Sequence, residues 1–559
     1  MARLDRLGSA KEVAQIGAAI GRDFSHVLLS AVTPKSEAEL NFALDRIIAA
    51  GLLFRQGILP FATYLFKHAL IQDAAYGTLL RQPRRTLHAR IAETIESQFA
   101  DVAERQPELL ARHYTEAGLI ERGALLWGKA GLRALERSAF AEAVGQLRRA
   151  LDQIATLPAT PALRRAQIDF QVALSNSLFS VAGFGPETKA TLEQASRLIE
   201  QAVALGEPPE DPLLLFVVLY SSWYANLMAA NFDVCRDLAE RTLALAEKQD
   251  ALVPLIVGHD IMAATLAIVG APAQGRKHCD HALALYDPVE HRSMAMRFGI
   301  DLRVAILHHR SSILQALGYP AAARADAEDA LGSARAMGHA STLLLALVAL
   351  EKVYLHSGNY TAVNAALNEL GALADEKGAS AFKTAVNTGR GRLLAFTGKP
   401  AEAVQVLTSG LADAAQRSTG KTFYLAFNLS CLARAYAELG QFDEAWRRID
   451  EAKTAMDATG EKWCEAAVYL TAGEIALKSP EPDAAKAEAL FERALTVARQ
   501  QQAKSRELVA AMSMARLWRD QGKPQQAREL LAPVYNWFTE GFDTRDLKEA
   551  KALLDALAR

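Results

Sequence analysis

Four cysteines in 559 residues, none of them in a CxxC pair, leave this chain without the makings of a disulfide framework or a thiolate metal cluster. Cys235, Cys279, Cys431 and Cys464 stand far apart, each within a helical pattern, which suits a reducing compartment and a cytoplasmic protein. Net charge is scarce as well: 62 Lys and Arg oppose 64 Asp and Glu, giving -2 at pH 7. No field of one sign is expected to draw in nucleic acid or anionic lipid. Long apolar runs are also missing. The longest is PLLLFVVLY from Pro212, well short of the ~20 residues that a spanning helix needs, so no membrane crossing is expected. The opening stretch MARLDRLGSAKEVAQ mixes charges with single apolar residues and does not read as a secretory signal.

What the chain does have is a repeat. Gly, one variable residue, an aromatic or Pro, two variable residues and a small residue recur as GYPAAA from Gly318, GNYTAV from Gly358, GKPAEA from Gly398, GQFDEA from Gly440 and GKPQQA from Gly522. The spacings are 40, 40, 42 and 82 residues, the last being two units with a degenerate copy near Ser479 and Pro480. Periods of this size mean stacked helical hairpins. Each glycine follows an apolar-periodic run and can close a helix in the left-handed conformation. Pro320, Pro400 and Pro524, two residues on, suit the first turn of the next helix, where a missing N–H costs nothing. Ala323, Ala403, Ala445 and Ala527 let two helices approach closely, and Leu367, Leu407, Ile449 and Leu531 lie along the same face. The unit resembles the tetratricopeptide repeat. The expected fold class is therefore all-α: a tetratricopeptide-like, right-handed α-solenoid over residues 86–559, with a last helix at 545–557 capping the open end. At 51% hydrophobic and 23% charged, the composition is that of a globular chain too long for one compact core.

Residues 1–85 read differently. Helical patterns at 4–20 and 37–50 lead into two β-prone runs, GLLFRQG from Gly51 and ATYLF from Ala62, and then a helix at about 68–80. This order predicts a small winged-helix-like domain. Its candidate recognition helix carries Glu37, Glu39 and Asp45 against Arg46 alone, the wrong balance for reading DNA. Arg81, Arg84, Arg85 and Arg90, with His88, form a basic cluster at the predicted junction and are candidates for docking an acidic partner. Two other motifs carry groups capable of chemistry. AQRSTGKT at residues 415–422 fits a relaxed phosphate loop, but the residues before it predict a helix where a nucleotide site needs a strand. His278, Cys279, Asp280 and His281 carry metal-capable groups without a second cluster to complete a site. His308 and His309 are adjacent and diverge on a helix, as structural or exposed residues. No catalytic motif is found, so no enzyme activity, cofactor or metal is expected.

Four longer strings resemble a bacterial family in which a class III adenylate/guanylate cyclase domain precedes a signalling ATPase of the STAND type and tetratricopeptide-like repeats. They are ARLDRLGSAKEVAQIGAAIGRDF from Ala2, FKHALIQDAAYGTLL from Phe66, ALYDPVEHR from Ala284 and ARLWRDQGKPQQARELLAPVYNWFTEGFDTRDLKEAKALL from Ala515. The resemblance implies a regulatory and protein-interaction module, with a protein partner or small effector on the concave solenoid surface and an ATPase or cyclase half as a further partner. It also implies two alternatives: the C-terminal part of a functional cyclase or ATPase, or the sensor half of an ATP-dependent transcriptional activator. The cyclase aspartates and Walker motifs of that family have no counterpart here, and Met1 resembles an internal position just after the ATPase core. His68, in FKH, is similar to the winged-helix histidine that faces the nucleotide phosphates in related switch ATPases.

Overall fold

The computed structural model describes residues 7–183, 185–207, 211–417 and 422–558. Two compact units make up the chain, one from Met1–Leu135 and Glu142–Leu174, the other from Glu136–Ala141 and Ser175–Arg559.

The first unit opens with helix Ala10–Ile20, strand β1 at Asp23–Ser25, and helices His26–Val32 and Glu37–Ala49. Strands β2 (Leu53–Gln56) and β3 (Thr63–Phe66) follow, then helix Ala69–Gly77. The three strands form an antiparallel sheet in the order β1-β3-β2. The hairpin and its flanking helices match the sequence pattern. β1 and helix His26–Val32 do not appear in that pattern, because a three-residue strand is too short to show alternation. Phe24 from β1 stacks on Tyr64 of β3 and meets Phe66 at a tilt, with ring centroids 5.7 and 5.8 Å apart, and the three are buried in this unit's core. Ser36 and Glu39 form a capping box that fixes the start of Glu37–Ala49. Further helices, among them Arg81–Gln98 and Pro107–Ala117, complete the unit.

The second unit is a tetratricopeptide-like α-solenoid, and its hairpins are built as the repeat predicts. Gly318 and Gly358 terminate helices in the left-handed region, and Gly398, Gly440 and Gly522 share that conformation. Pro320, Pro400 and Pro524 each begin a helix. Ala323, Ala403, Ala445 and Ala527 are wholly buried, as are Leu407, Ile449 and Leu531. At the degenerate copy, helix Glu465–Lys478 ends at Ser479, and Asp483 starts Ala484–Gln500 by accepting from the Lys486 N–H at 2.9 Å. An aspartate cap replaces the Gly-x-Pro turn there, and the hairpin survives.

The superhelix also winds back on itself. Helices Leu302–Leu317 and Lys504–Asp520 pack together. The Ser505 hydroxyl donates to the Gln315 carbonyl at 2.5 Å, Arg324 pairs with Asp543 at 2.9 Å, and the Arg545 guanidinium reaches the Tyr360 hydroxyl at 2.6 Å. Backbone bonds do the same: Lys462 N–H to Ile268 O at 3.0 Å and Phe423 N–H to Met228 O at 3.2 Å. The side-chain partners lie 185–219 residues apart, roughly five repeats. The terminal helix Arg545–Leu557 therefore both covers the end of the stack, through buried Leu547, Ala550 and Leu553, and touches a repeat far upstream.

This contact between turns can be tested at two glycines. Gly318 has φ +95°, and a Cβ there would meet Lys504 Cβ and Trp537 at 2.8 Å; Gly398 has φ +74° and open space. Gly398→Ala is expected to cost only the left-handed strain, about 1–2 kcal/mol. Gly318→Ala adds overpacking of about 1–3 kcal/mol. Equal losses in urea unfolding would show that the turns do not bear on one another in solution.

Candidate functional site

Closure of the solenoid turns its inner face into the wall of a cavity of about 790 Å³, partly open to solvent. Its lining comes from residues as distant as Phe179 and Asp546, and most of it is apolar or aromatic. Pockets of this size take drug-sized ligands.

Helix Ala340–Ser357 supplies the central polar groups. It is 18 residues long, and by length and composition it is the one helix among the described residues apolar enough to cross a membrane, although over half of it is buried inside this unit. Glu351, Lys352 and His356 interrupt that apolar run and line the cavity. The Glu351 carboxylate accepts from Arg392 Nη2 at 3.1 and 3.2 Å, with both side chains almost fully buried, and Arg392 Nη1 donates to Asn428 Oδ1 at 2.9 Å. Burial works against the Arg392 charge, but Glu351 more than offsets it and holds the guanidinium pKa above its usual value.

Lys352 has no such partner. Its ammonium lies 3.5 Å from His308 Nε2 and 4.7 Å from the centre of the Tyr424 ring, and no carboxylate oxygen among the described residues comes within ion-pair distance. Burial pushes its pKa down to about 8, with Glu351 opposing and Arg392 reinforcing that shift. Arg506 is in the same position. It approaches His356 Nδ1 at 3.5 Å and the Phe427 ring at 6.0 Å, and burial lowers its pKa, with the charge of Asp546 opposing that shift. His308 and His356 are both held well below the ordinary histidine range, by burial first and then by the neighbouring cations. They are neutral at pH 7. Asp546 lies on the same wall, its pKa raised by burial.

An aromatic cluster seats these cations. Tyr424 packs on Phe423 and Trp463, with centroids 4.5 and 4.8 Å away, and Phe427 packs on Trp463 at 5.3 Å. Tyr424 has φ +70°, uncommon for a bulky residue and strained by about 1–2 kcal/mol. Beneath it, Glu461 accepts from the Trp463 indole N–H and from the Tyr424 backbone. Burial raises the Glu461 pKa to about 7, against those two hydrogen bonds. The unfolded chain therefore gives up this proton near pH 4.5 while the folded chain keeps it to about pH 7, so wild-type stability falls as pH rises across that window. Glu461→Gln is expected to remove that slope and raise the melting temperature at pH 8 while leaving it unchanged at pH 4. Parallel melting profiles for the two proteins between pH 4 and 8 would sink this assignment.

The residues singled out from sequence lie elsewhere. His68 is exposed at the start of helix Ala69–Gly77, with no capping bond from its side chain. Arg81, Arg85 and Arg90 are exposed on helix Arg81–Gln98, whereas Arg84 is half-buried, donating to Leu79 O at 3.2 Å and lying 4.4 Å over the Tyr76 ring. His88 is buried, with its Nδ1 2.8 Å from His113 Nδ1, and burial lowers its pKa to about 4. Of the phosphate-loop-like string, residues 415–417 end helix Pro400–Arg417, and 418–421 fall outside the described residues. Cys279 is buried, and His278 and His281 sit beside His259. Among the described residues no group of three His, Cys, Asp or Glu is arranged to hold a metal ion. His308 and His309 both line the cavity, and His309 also meets Asp260 at 2.8 Å. All four cysteines are free and buried. The cavity cations went unnoticed in the sequence, although charged residues inside so apolar a helix as Ala340–Ser357 were a visible signal.

No family model matches the chain. An uncharacterised protein of Rhizobium meliloti (strain 1021) is 29% identical over 301 residues, which are 53% of this chain and 28% of that protein, so the match spans under a third of the relative's length. Among solved structures, a STAND protein with a tetratricopeptide repeat sensor from Pyrococcus horikoshii is 12% identical, covering 98% of this chain and 64% of that one with a TM-score of 0.31. The Cut9–Hcn1 hetero-tetramer of the APC/C is 12% identical, covering 87% and 98% with a TM-score of 0.44. A Rap protein complexed with Competence and Sporulation Factor is 11% identical, covering 78% and 99% with a TM-score of 0.38.

Proposed function

We propose that this chain is a non-catalytic regulatory module in which the second unit senses a ligand in its cavity and the first unit engages a partner protein. One observation carries this reading: two half-buried cations, Lys352 and Arg506, line a mainly apolar cavity with no carboxylate at ion-pair distance among the described residues, an arrangement that costs stability and is the mark of a site kept for binding. A ligand that binds one winding of the superhelix better than another shifts the population of that winding, and the contacts between turns are the element it acts on.

Within the first unit, residues 1–85 are read as a winged-helix-like adaptor. The order of its helices and its three-stranded sheet support this. So does the exposure of Phe42, Phe54, Ile58, Phe61, Leu70 and Leu80, an unusual amount of large apolar surface for so small a region. An ATPase or cyclase domain of the kind the sequence resemblance implies is the proposed partner, and Arg81, Arg85 and Arg90 are its proposed polar contacts. Small molecules that raise the melting temperature of the full chain, and do not raise that of a variant with the cavity filled by Ala385→Trp, are the expected result of a metabolite screen. If no compound separated the two proteins, the sensor reading would fail.

A further inference from the structure

The chemistry of the cavity wall narrows the ligand to one class. We propose that it is an organic anion, a carboxylate, sulfonate or phosphate on an apolar or aromatic body, with its charged group held by Lys352 and Arg506; this rests on the sensor reading above.

Four cations line the cavity: Lys189 is exposed and lies 3.9 Å from Glu193, while Lys352, Arg392 and Arg506 are each set against an aromatic ring, Lys352 and Arg392 at 4.7 and 5.8 Å from the centre of Tyr424 and Arg506 at 6.0 Å from that of Phe427. Glu351 makes its ion pair with Arg392. The nearest polar neighbours of the other two are histidine nitrogens, His308 Nε2 and His356 Nδ1, each at 3.5 Å. Asp546, the other carboxyl group on this wall, is not at ion-pair distance from either, although its charge acts on Arg506 from further off. Lys352 and Arg506 are half-buried, a charge partly withdrawn from water is costly without a partner, and an incoming anion supplies one. Lys352 gives a point charge and Arg506 a planar fork, a combination suited to a group with two or three oxygens. The rest of the wall sets the ligand's body. Phe179, Tyr224, Ile313, Leu345 and Phe382 give it an apolar and aromatic lining. A small inorganic ion would leave that surface unfilled, and a neutral apolar molecule would leave the cations unpaired.

The probe is 8-anilinonaphthalene-1-sulfonate, an aromatic sulfonate, compared by fluorescence titration of the full chain with the uncharged N-phenyl-1-naphthylamine. Part of the signal will come from the apolar surface of the first unit, so the cavity component is defined as the part lost in Ala385→Trp. That component is expected to be saturable and about tenfold or more tighter for the sulfonate than for the neutral dye, the range of one charge-assisted hydrogen bond. Lys352→Met and Arg506→Met are each expected to weaken it about tenfold or more and to leave the neutral dye unchanged. Lys352→Arg, which keeps the charge, is expected to restore sulfonate binding. Equal binding of both dyes, unaffected by Lys352→Met or Arg506→Met but lost in Ala385→Trp, would overturn the anion and keep the cavity as a ligand site. If no component is lost in Ala385→Trp, the sensor reading falls along with the proposal. Far-UV circular dichroism of each variant reports whether the helices remain, and Lys352→Met does not depend on a weakened fold because its loss of charge is stabilising.

Discussion

Glu351→Ala is expected to destabilise the second unit by about 3–5 kcal/mol, because it leaves the Arg392 guanidinium buried without its counter-charge. The two side chains retain 3% and 7% of their exposure and meet at 3.1 Å. Replacing both at once, with Glu351→Leu and Arg392→Met, is expected to recover most of the loss, short of about 1–3 kcal/mol for Asn428 Oδ1, which loses its donor. Urea unfolding followed by circular dichroism separates the cases. A double variant as unstable as the single one would mean that the pair sustains the packing itself, and that the charge balance is not what the unit depends on.

Lys352→Met is expected to act in the opposite direction and raise stability at pH 7 by up to about 3 kcal/mol. The folded protein carries this lysine at a pKa of about 8, against 10.5 for the ordinary side chain. Below pH 8 both folded and unfolded chains hold the proton, and the whole penalty of the buried charge is present. Between about pH 8 and 10.5 the unfolded chain binds a proton that the folded chain has released, so wild-type stability rises with pH. The gap between variant and wild type should therefore be largest at pH 7 and shrink by pH 10. Thermal melts at the two pH values check it, and a gap that was absent at pH 7 or the same at both would remove the argument that the site is kept at the expense of stability. A gain in stability with a loss of anion binding in one variant is the signature of a functional residue.

Much of the architecture could be read from the chain because each hairpin is local. Gly318, Pro320 and Ala323 act within a few residues of one another, and turn chemistry of that range shows in sequence. The same reading extends to the hairpin that closes residues 51–66 and stops at β1, whose three residues gain their strand geometry only from pairing with β3. The cavity was hidden for a different reason. Lys352, Arg392 and Arg506 lie 40 to 154 residues apart, and a charged residue in a helix reads as solvated surface until its surroundings are known. Even the basic cluster that drew notice changes on folding: His88 turns inward to His113, while Arg81 and Arg85 stay out.

By itself, the sequence determined that most of this protein is helical hairpins stacked at a near-constant period, since capping, helix entry and close packing all depend on neighbours within one unit. Only the tertiary structure decided how far each unit turns relative to the last. That rotation is small and set by the sum of many side-chain contacts, yet over about five repeats it brings Gln315 against Ser505 and Tyr360 against Arg545. Closure follows from this accumulated angle, and with it the enclosed wall on which unpaired cations from separate repeats face a common space.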